Sequence, residues 1–185
     1  EKKLRALVDA GQRDAAEARE IRVQMRGLRE KFSDASFASV RKSILELLAY
    51  AEGSGVRLGI ENRYHYMEFP SPDELEVLLS LAEPDRIGFL YDASHAQTLD
   101  VLGFYPHEEW LKRFGHRIIG THLHDVLGTT DHYAPGLGSI DFDMVASYLP
   151  EDALRTCEFQ TFNTPEQVKA GLKVLVERGC IKLQH

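Results

Sequence analysis

The pattern of apolar and polar positions divides the chain into a helical beginning and an alternating remainder. Apolar residues recur at helical spacing through residues 1–31, with a break near Gly11. The spacing predicts a further helix from the capping pair Ser33-Asp34 to about Gly53. From residue 56 onward, short β-rich runs alternate with helical stretches, which is typical of βα units around a parallel sheet.

Each of the four predicted strands runs directly into a residue that can bind a metal ion or move a proton. The predicted strands are Val56–Ile60, Ile87–Tyr91, Ile118–Thr121 and Leu154–Cys157. The predicted later helices are Asp73–Ala82, Glu108–Phe114, Phe142–Leu149 and a last one from near Pro165 to Gly179. The residues that follow the strands are Glu61, Asp92, His122 and Glu158. Alternate strand residues share a face, so all four belong to one face, which points inward in a barrel.

The same alternation assigns the other strand residues to faces. Ile118 and Gly120 fall on the inner face with His122, whereas Ile119 falls on the outer face with Phe89. The outer set is mostly bulky, so we expect it to pack beneath helices.

Three carboxylates and one imidazole form an oxygen-rich donor set. Such a set predicts one divalent ion, with Mn²⁺ favoured and Mg²⁺, Co²⁺ or Zn²⁺ as alternatives. Taken singly, Glu61 or Glu158 could be an ion-pair partner, Asp92 a helix cap and His122 a core histidine. The coincidence of all four at one register favours a metal site, since the buried acids would repel one another without a cation.

Four further polar residues are candidates for contact with a bound substrate. His95 stands one helical turn after Asp92, and Asn62 could bind a hydroxyl or shape a turn. His132 lies in a loop over the mouth or is simply exposed to solvent, and His124 could instead orient Asp125 or a ligand. The remaining histidines, predicted to lie at the surface, are His65, His107, His116 and His185.

The length of 185 residues predicts one domain over 1–185, with 1–31 as an N-terminal helical segment. The net charge is −7; residues 1–31 carry nine basic and six acidic side chains (9 − 6 = +3), and the remainder carries −10. An acidic surface counts against nucleic acid as a partner.

No apolar run approaches the roughly 20 residues of a membrane span. The opening residues show no signal-peptide pattern, and the two cysteines show no metal or redox spacing. We therefore expect a cytoplasmic protein that does not enter a membrane.

Five motifs together resemble the xylose isomerase-like TIM-barrel superfamily over about residues 35–180. They are GIENRY at 59–64, YDASH at 91–95, HLHD at 122–125, DHYAPGLGSIDF at 131–142 and CEF at 157–159. The superfamily contains sugar-phosphate isomerases and epimerases and the endonuclease-IV type of DNA-repair enzyme. The resemblance implies an α/β fold of the (β/α)8 type, of which this chain covers about the C-terminal half.

The resemblance also implies a function and roles for the candidate residues. A single divalent metal would be held by Glu61, Asp92, His122 and Glu158. The two glutamates would act as acid and base on opposite faces of a sugar or polyol, and His95 would contact a substrate oxygen. The implied activity is that of a sugar, or sugar phosphate, isomerase or epimerase.

Two departures keep other functions open. Several ketose epimerases carry an arginine shortly after the position of His122, and residues 126–130 contain none. The endonuclease branch binds three zinc ions and places an aspartate where Thr130 stands, next to Asp131. The alternatives are therefore a zinc endonuclease for abasic sites, or a non-catalytic metal-binding half-barrel.

Half a barrel has exposed sheet edges and an open inner face. Such surfaces pair readily with other chains. We therefore expect a homo-oligomer, or completion by an N-terminal half-barrel.

Overall fold

Two helices open the structure, a computed structural model that describes residues 1–182. Helix α1 spans Lys2–Asp9 and α2 spans Ala16–Tyr50, so the break near Gly11 is confirmed. The predicted new helix at Ser33-Asp34 is wrong, because α2 continues through that pair. Neither glycine nor proline occurs between residues 28 and 52, and residues of α2 on both sides of the pair, such as Met25 and Leu48, pack on the core.

The remaining elements include all the predicted strands and later helices, with boundaries within three residues of those expected. In chain order the elements are β1 (Leu58–Glu61), α3 (Pro72–Leu79), β2 (Ile87–Asp92), α4 (Ala93–Val101), α5 (His107–Phe114), β3 (Ile118–Leu123), β4 (Asp125–Leu127), β5 (Thr130–Tyr133), α6 (Phe142–Tyr148), β6 (Leu154–Cys157) and α7 (Pro165–Glu177). Three of them, α4, β4 and β5, are not predicted by the sequence pattern. Strands β1, β2, β3 and β6 form a parallel sheet in that order. Strands β4 and β5 form a separate antiparallel hairpin.

Two of the helices begin with a capping box and a proline. Ser71 accepts the N–H of Glu74 before Pro72 opens α3, and Thr164 accepts the N–H of Gln167 at the start of α7. The capping side chains accept hydrogen bonds from N–H groups that a helix leaves unpaired at its first turn, so they set where each helix starts.

The core lies between the outer face of the sheet and the helices. Phe89 and Tyr91 of β2 are fully buried, and Phe89 packs against Trp110 of α5 with ring centroids 6.2 Å apart. Leu75 and Leu78 of α3 are also buried. Along β2, the predicted packing of the outer face beneath helices is confirmed.

One residue in β3 departs from the expected alternation. Phe89 pairs with Ile118, but its neighbour Leu90 pairs with Gly120, so Ile119 is an extra residue in the strand. A Cβ built on Gly88 would lie 2.2 Å from the Ile119 side chain, which places that side chain on the inner face. The predicted faces of Ile118 and Ile119 are therefore reversed, while His122 keeps its predicted face beside Asp92.

The inner face of the sheet is open to solvent. Leu154 is 69% exposed and Gly59 is also exposed. Within the described residues, the outermost strands β1 and β6 each pair along one edge. The structure is thus a partial barrel, as predicted. None of the helices in residues 1–182 combines the length and apolarity that crossing a membrane requires.

Candidate metal centre

The four predicted metal ligands lie at the carboxyl ends of the parallel strands. Glu61, Asp92 and His122 offer ligand atoms within 4.8 Å of one another, whereas Glu158 belongs to a second such group with His124 and His132. Nδ1 of His122 lies 3.1 Å from Oε1 of Glu61, 3.5 Å from Oδ2 of Asp92 and 3.1 Å from Oε2 of Glu158. Atoms that each bind one ion at about 2.1 Å are themselves about 3.0–3.5 Å apart. The spacing around His122 therefore fits one small divalent cation.

The charges of the centre favour a cation. Burial by itself raises the pKa of Asp92, but hydrogen bonds with His122 and His124 outweigh burial and hold it well below its ordinary value. The pKa of His122 is raised to about 9, mainly by hydrogen bonding to Asp92. Partial burial lowers this pKa, and the charges of Glu158 and Glu61 raise it further. The centre thus combines an ionised Asp92 with a basic imidazole at His122.

His124 orients Asp92 from a fully buried position. Its Nδ1 accepts the backbone N–H of His132 at 2.9 Å, so Nε2 carries the proton and donates to Oδ2 of Asp92 at 3.0 Å. The other oxygen, Oδ1, accepts the N–H of His95 and caps α4. Because both ring nitrogens are engaged, the structure favours ligand orientation over substrate contact for His124.

Asn62 joins the ends of β1 and β2. Its buried side chain donates Nδ2–H to the carbonyl of Asp92 at 2.9 Å and accepts the N–H of Asp92 at 2.8 Å. Its own carbonyl accepts Nδ1–H of His95 at 2.8 Å. These bonds favour the turn-shaping alternative for Asn62, and they leave Nε2 of His95 facing Oδ2 of Asp131 at 3.8 Å.

The β4–β5 hairpin lies over the centre, where the sequence predicts a loop. It brings Nε2 of His132 within 3.5 Å of Oε1 of Glu158, and the His132 ring stacks on His124 at 4.3 Å. His132 has a φ of 62°, which is rare for a residue other than glycine and costs about 1–3 kcal/mol. Hydrogen bonds at both backbone groups hold His132 in this conformation. Its N–H donates to Nδ1 of His124, and its carbonyl accepts Nδ2–H of Asn163 at 2.8 Å.

Two site residues were missed as candidates. Arg63 places Nη1 2.6 Å from Oε2 of Glu61. Asp131 places Oδ1 3.1 Å from Nδ1 of His132. The sequence does contain a signal for each residue. Arg63 stands two residues after Glu61, and the acidic Asp131 is next to the predicted site residue His132.

Asp125 shapes the loop that follows the hairpin. Its buried carboxylate accepts the backbone N–H groups of Val126, Gly136, Gly138 and Ile140 at 2.8–3.1 Å. A Cβ on Gly138 would lie 2.1 Å from the carbonyl oxygen of Val126, so only glycine fits there. The Pro-Gly-x-Gly sequence is thus a carboxylate-centred turn.

The histidines predicted to be exposed divide into two groups. His65 and His116 are exposed, as predicted, and His185 lies outside the described residues. The prediction for His107 is wrong, because its ring is buried between the Tyr91 hydroxyl and Oε1 of Gln97, 2.7 Å away. Burial lowers the pKa of His107 to about 4.

Comparisons with known proteins give the family. The xylose isomerase-like TIM barrel model matches residues 5–178, whereas no curated protein matches the chain in sequence. A D-tagatose 3-epimerase-like protein is 22% identical at a TM-score of 0.65, with 80% of this chain and 56% of that one covered. A provisionally assigned xylose isomerase from Rhodospirillum rubrum is 20% identical at a TM-score of 0.57, with coverages of 80% and 55%.

A sugar phosphate isomerase/epimerase from Parabacteroides distasonis is 18% identical at a TM-score of 0.49, with coverages of 76% and 51%. The chain therefore spans about half the length of these solved structures. At such identities the first two show the fold alone, while the family model covers nearly all of the chain. The chain belongs to the xylose isomerase-like TIM barrel family.

Proposed function

We propose that this chain carries the metal centre of a divalent-metal-dependent isomerase or epimerase of sugars or sugar phosphates. One observation carries the proposal: a single atom, Nδ1 of His122, lies 3.1–3.5 Å from carboxylate oxygens of Glu61, Asp92 and Glu158. Membership of the family, in which solved structures are described as sugar isomerases and epimerases, supports the reaction class.

The donor set fits a hard or borderline cation. Glu61, Asp92, His122 and Glu158 would hold one ion, with Mn²⁺ favoured and Mg²⁺, Co²⁺ or Zn²⁺ as alternatives. When bound, the ion would polarise a substrate carbonyl and stabilise the negative charge that develops on its oxygen.

Glu61 and Glu158 are the proposed acid and base. They end β1 and β6, the outermost strands of the sheet, so they approach a substrate from opposite sides. One removes a proton from the carbon next to the carbonyl, and the other returns a proton to the opposite face or to the neighbouring carbon. Oε2 of Glu61 is paired with Arg63, whereas Glu158 faces His122 and His132.

Contacts to substrate hydroxyls are proposed for His95 and His132. Both rings face the space between the centre and the hairpin, where Asp131 joins them. Asn62 and His124 are proposed as orienting residues, since their polar atoms are bonded within the protein.

A zinc endonuclease is the second candidate, and one contact favours it. Asp131 lies against His95 and His132, so it could supply the carboxylate that Thr130 does not. The acidic balance of residues 32–185 counts against DNA as substrate. One bound ion per chain supports the isomerase, and three supports the nuclease.

We also propose that another half-barrel covers the inner face, from a second copy or from a further part of the protein. The open edges of β1 and β6 and the exposed Leu154 support this arrangement.

The test is a Mn²⁺ titration by calorimetry, followed by proton exchange of ketoses in D₂O by NMR. We expect about one ion per chain and a fall in affinity of at least about 10-fold for Glu158→Gln. Glu151→Gln, an exposed carboxylate paired with Lys182, is the matched control and should bind like wild type. Absence of bound Mn²⁺ would sink the proposal, and bound Mn²⁺ without exchange of any α-proton would favour a non-catalytic half-barrel.

A further inference from the structure

Helix α1 holds the turn of the β4–β5 hairpin from a distant part of the chain. Oδ1 of Asp9 accepts the N–H of Thr129 at 2.8 Å, and Oδ2 accepts the Thr129 hydroxyl at 2.9 Å. Nη1 of Arg5 donates to the carbonyl of Thr129 at 2.9 Å. All three polar groups of the buried Thr129 are therefore bonded to α1.

The turn itself is shaped to admit the Asp9 carboxylate. Gly128 has a φ of 63°, and a Cβ there would lie 2.6 Å from Oδ1 of Asp9. A side chain at this position would both strain the backbone and displace the carboxylate. The glycine and the aspartate thus form one fitted contact.

The contact continues to the other side of the centre through Tyr64. Arg5 stacks on the Tyr64 ring at 4.0 Å and donates to its carbonyl at 3.0 Å, and the Tyr64 hydroxyl donates to the carbonyl of Thr129. The Tyr64 ring lies 5.8 Å from that of His95. Helix α1 therefore contacts the hairpin that carries His132 and a tyrosine whose ring lies beside His95.

We propose that Arg5 and Asp9 are positioning residues that set the place of β5, and with it Asp131 and His132, over the metal centre. Strand β5 begins one residue after Thr129, so a shift of the turn moves both side chains. The inference rests on the proposed function only for the role of Asp131 and His132. It gives α1, which carries no chemistry of its own, a part in the site.

The test measures the position of His132 directly. The N–H of His132 donates to Nδ1 of His124, so amide hydrogen exchange at His132 and the ¹⁵N resonance of His124 Nδ1 both report it. We expect Asp9→Asn and Thr129→Val each to speed exchange at His132 by about tenfold, the factor for one lost hydrogen bond, and to shift the His124 resonance. Thr129→Ser, which keeps the hydroxyl, should behave as wild type.

The controls separate positioning from general stability. Asp14→Asn removes the same charge at an exposed site beyond α1 and should change neither signal. Core amides such as that of Leu99 should keep their exchange rates in every variant. The inference is overturned if Asp9→Asn releases the Thr129 amide while His132 stays protected, or if all amides accelerate together. Failure of the wild-type chain to bind Mn²⁺ would count against the proposed function and leave this result standing.

Discussion

At the scale of single residues, His124 links the proposed metal centre to the hairpin above it. We predict that His124→Ala lowers Mn²⁺ affinity about 10–100-fold, because Asp92 loses the donor that orients it. The free energy of unfolding should fall by about 2–4 kcal/mol, since Asp92 and the N–H of His132 each lose a partner. Calorimetry and urea unfolding measure the two effects.

His116→Ala provides the control, because His116 is exposed and should alter neither quantity. A folded His124→Ala protein whose Mn²⁺ affinity stays within about twofold of wild type would contradict the orienting role.

The raised pKa of His122 sets a pH dependence. Hydrogen bonding to Asp92, and then the charges of Glu158 and Glu61, raise that pKa from 6.5 to about 9. The folded value lies above the unfolded one, so this stabilisation is complete below about pH 6.5 and is lost as the pH rises to about 9. We predict that the metal-free protein becomes less stable over this range, and that His122→Asn flattens the trend in thermal unfolding.

Mn²⁺ affinity should change in the opposite direction. The ion competes with the proton on His122, so affinity should rise with pH up to about 9 and then level off. Affinity that stays constant between about pH 7 and 9 would show that His122 is not a ligand.

The sequence pattern predicts the proposed ligand residues but not the residues that contact them. Glu61, Asp92, His122 and Glu158 follow from strand periodicity, which is a local property of each strand. Arg63, Asp131 and the buried His107 depend on where loops and helices fold back, and no local spacing encodes that. The roles proposed for Asn62 and His124 likewise rest on which of their atoms are already bonded.

At the scale of elements, the loop held by Asp125 depends on one glycine. We predict that Gly138→Ala lowers the free energy of unfolding by about 2–3 kcal/mol, because the new Cβ would displace the Val126 carbonyl and the Asp125 carboxylate. Gly27→Ala is the matched control within α2, where a Cβ meets nothing within 4 Å. That change should stabilise the protein by about 0.5–1 kcal/mol through helix propensity.

Denaturant unfolding compares the two glycine variants. Equal stabilities for Gly138→Ala and Gly27→Ala would mean that the carboxylate-centred turn tolerates a side chain.

The features that sequence periodicity does not predict all depend on contacts between separate parts of the chain. Ser33-Asp34 carries a capping signal, but a cap forms only where the helix behind it ends, and nothing ends α2 there. The extra residue at Ile119 results from pairing with β2, which single-strand alternation cannot anticipate. The β4–β5 hairpin is short and polar, so its pairing depends on contacts with α1 and the metal centre rather than on an apolar pattern.

At the scale of the whole molecule, the open inner face predicts association. We expect sedimentation velocity to show a species larger than the 20.9 kDa chain, and dilution to lower its melting temperature. Leu154→Lys should weaken that association, because it places a charge on the exposed inner face. Val23→Lys, an exposed apolar site on α2, is the control. A monomer that unfolds cooperatively at every concentration would contradict the completed-barrel proposal.

The central claim is that strand-end residues hold one divalent ion, and anomalous diffraction from crystals grown with Mn²⁺ tests it most directly. We predict a single peak per chain, bound by Glu61, Asp92, His122 and Glu158 at about 2.0–2.3 Å. The absence of a peak at saturating Mn²⁺, or a peak that these four residues do not bind, would contradict the account.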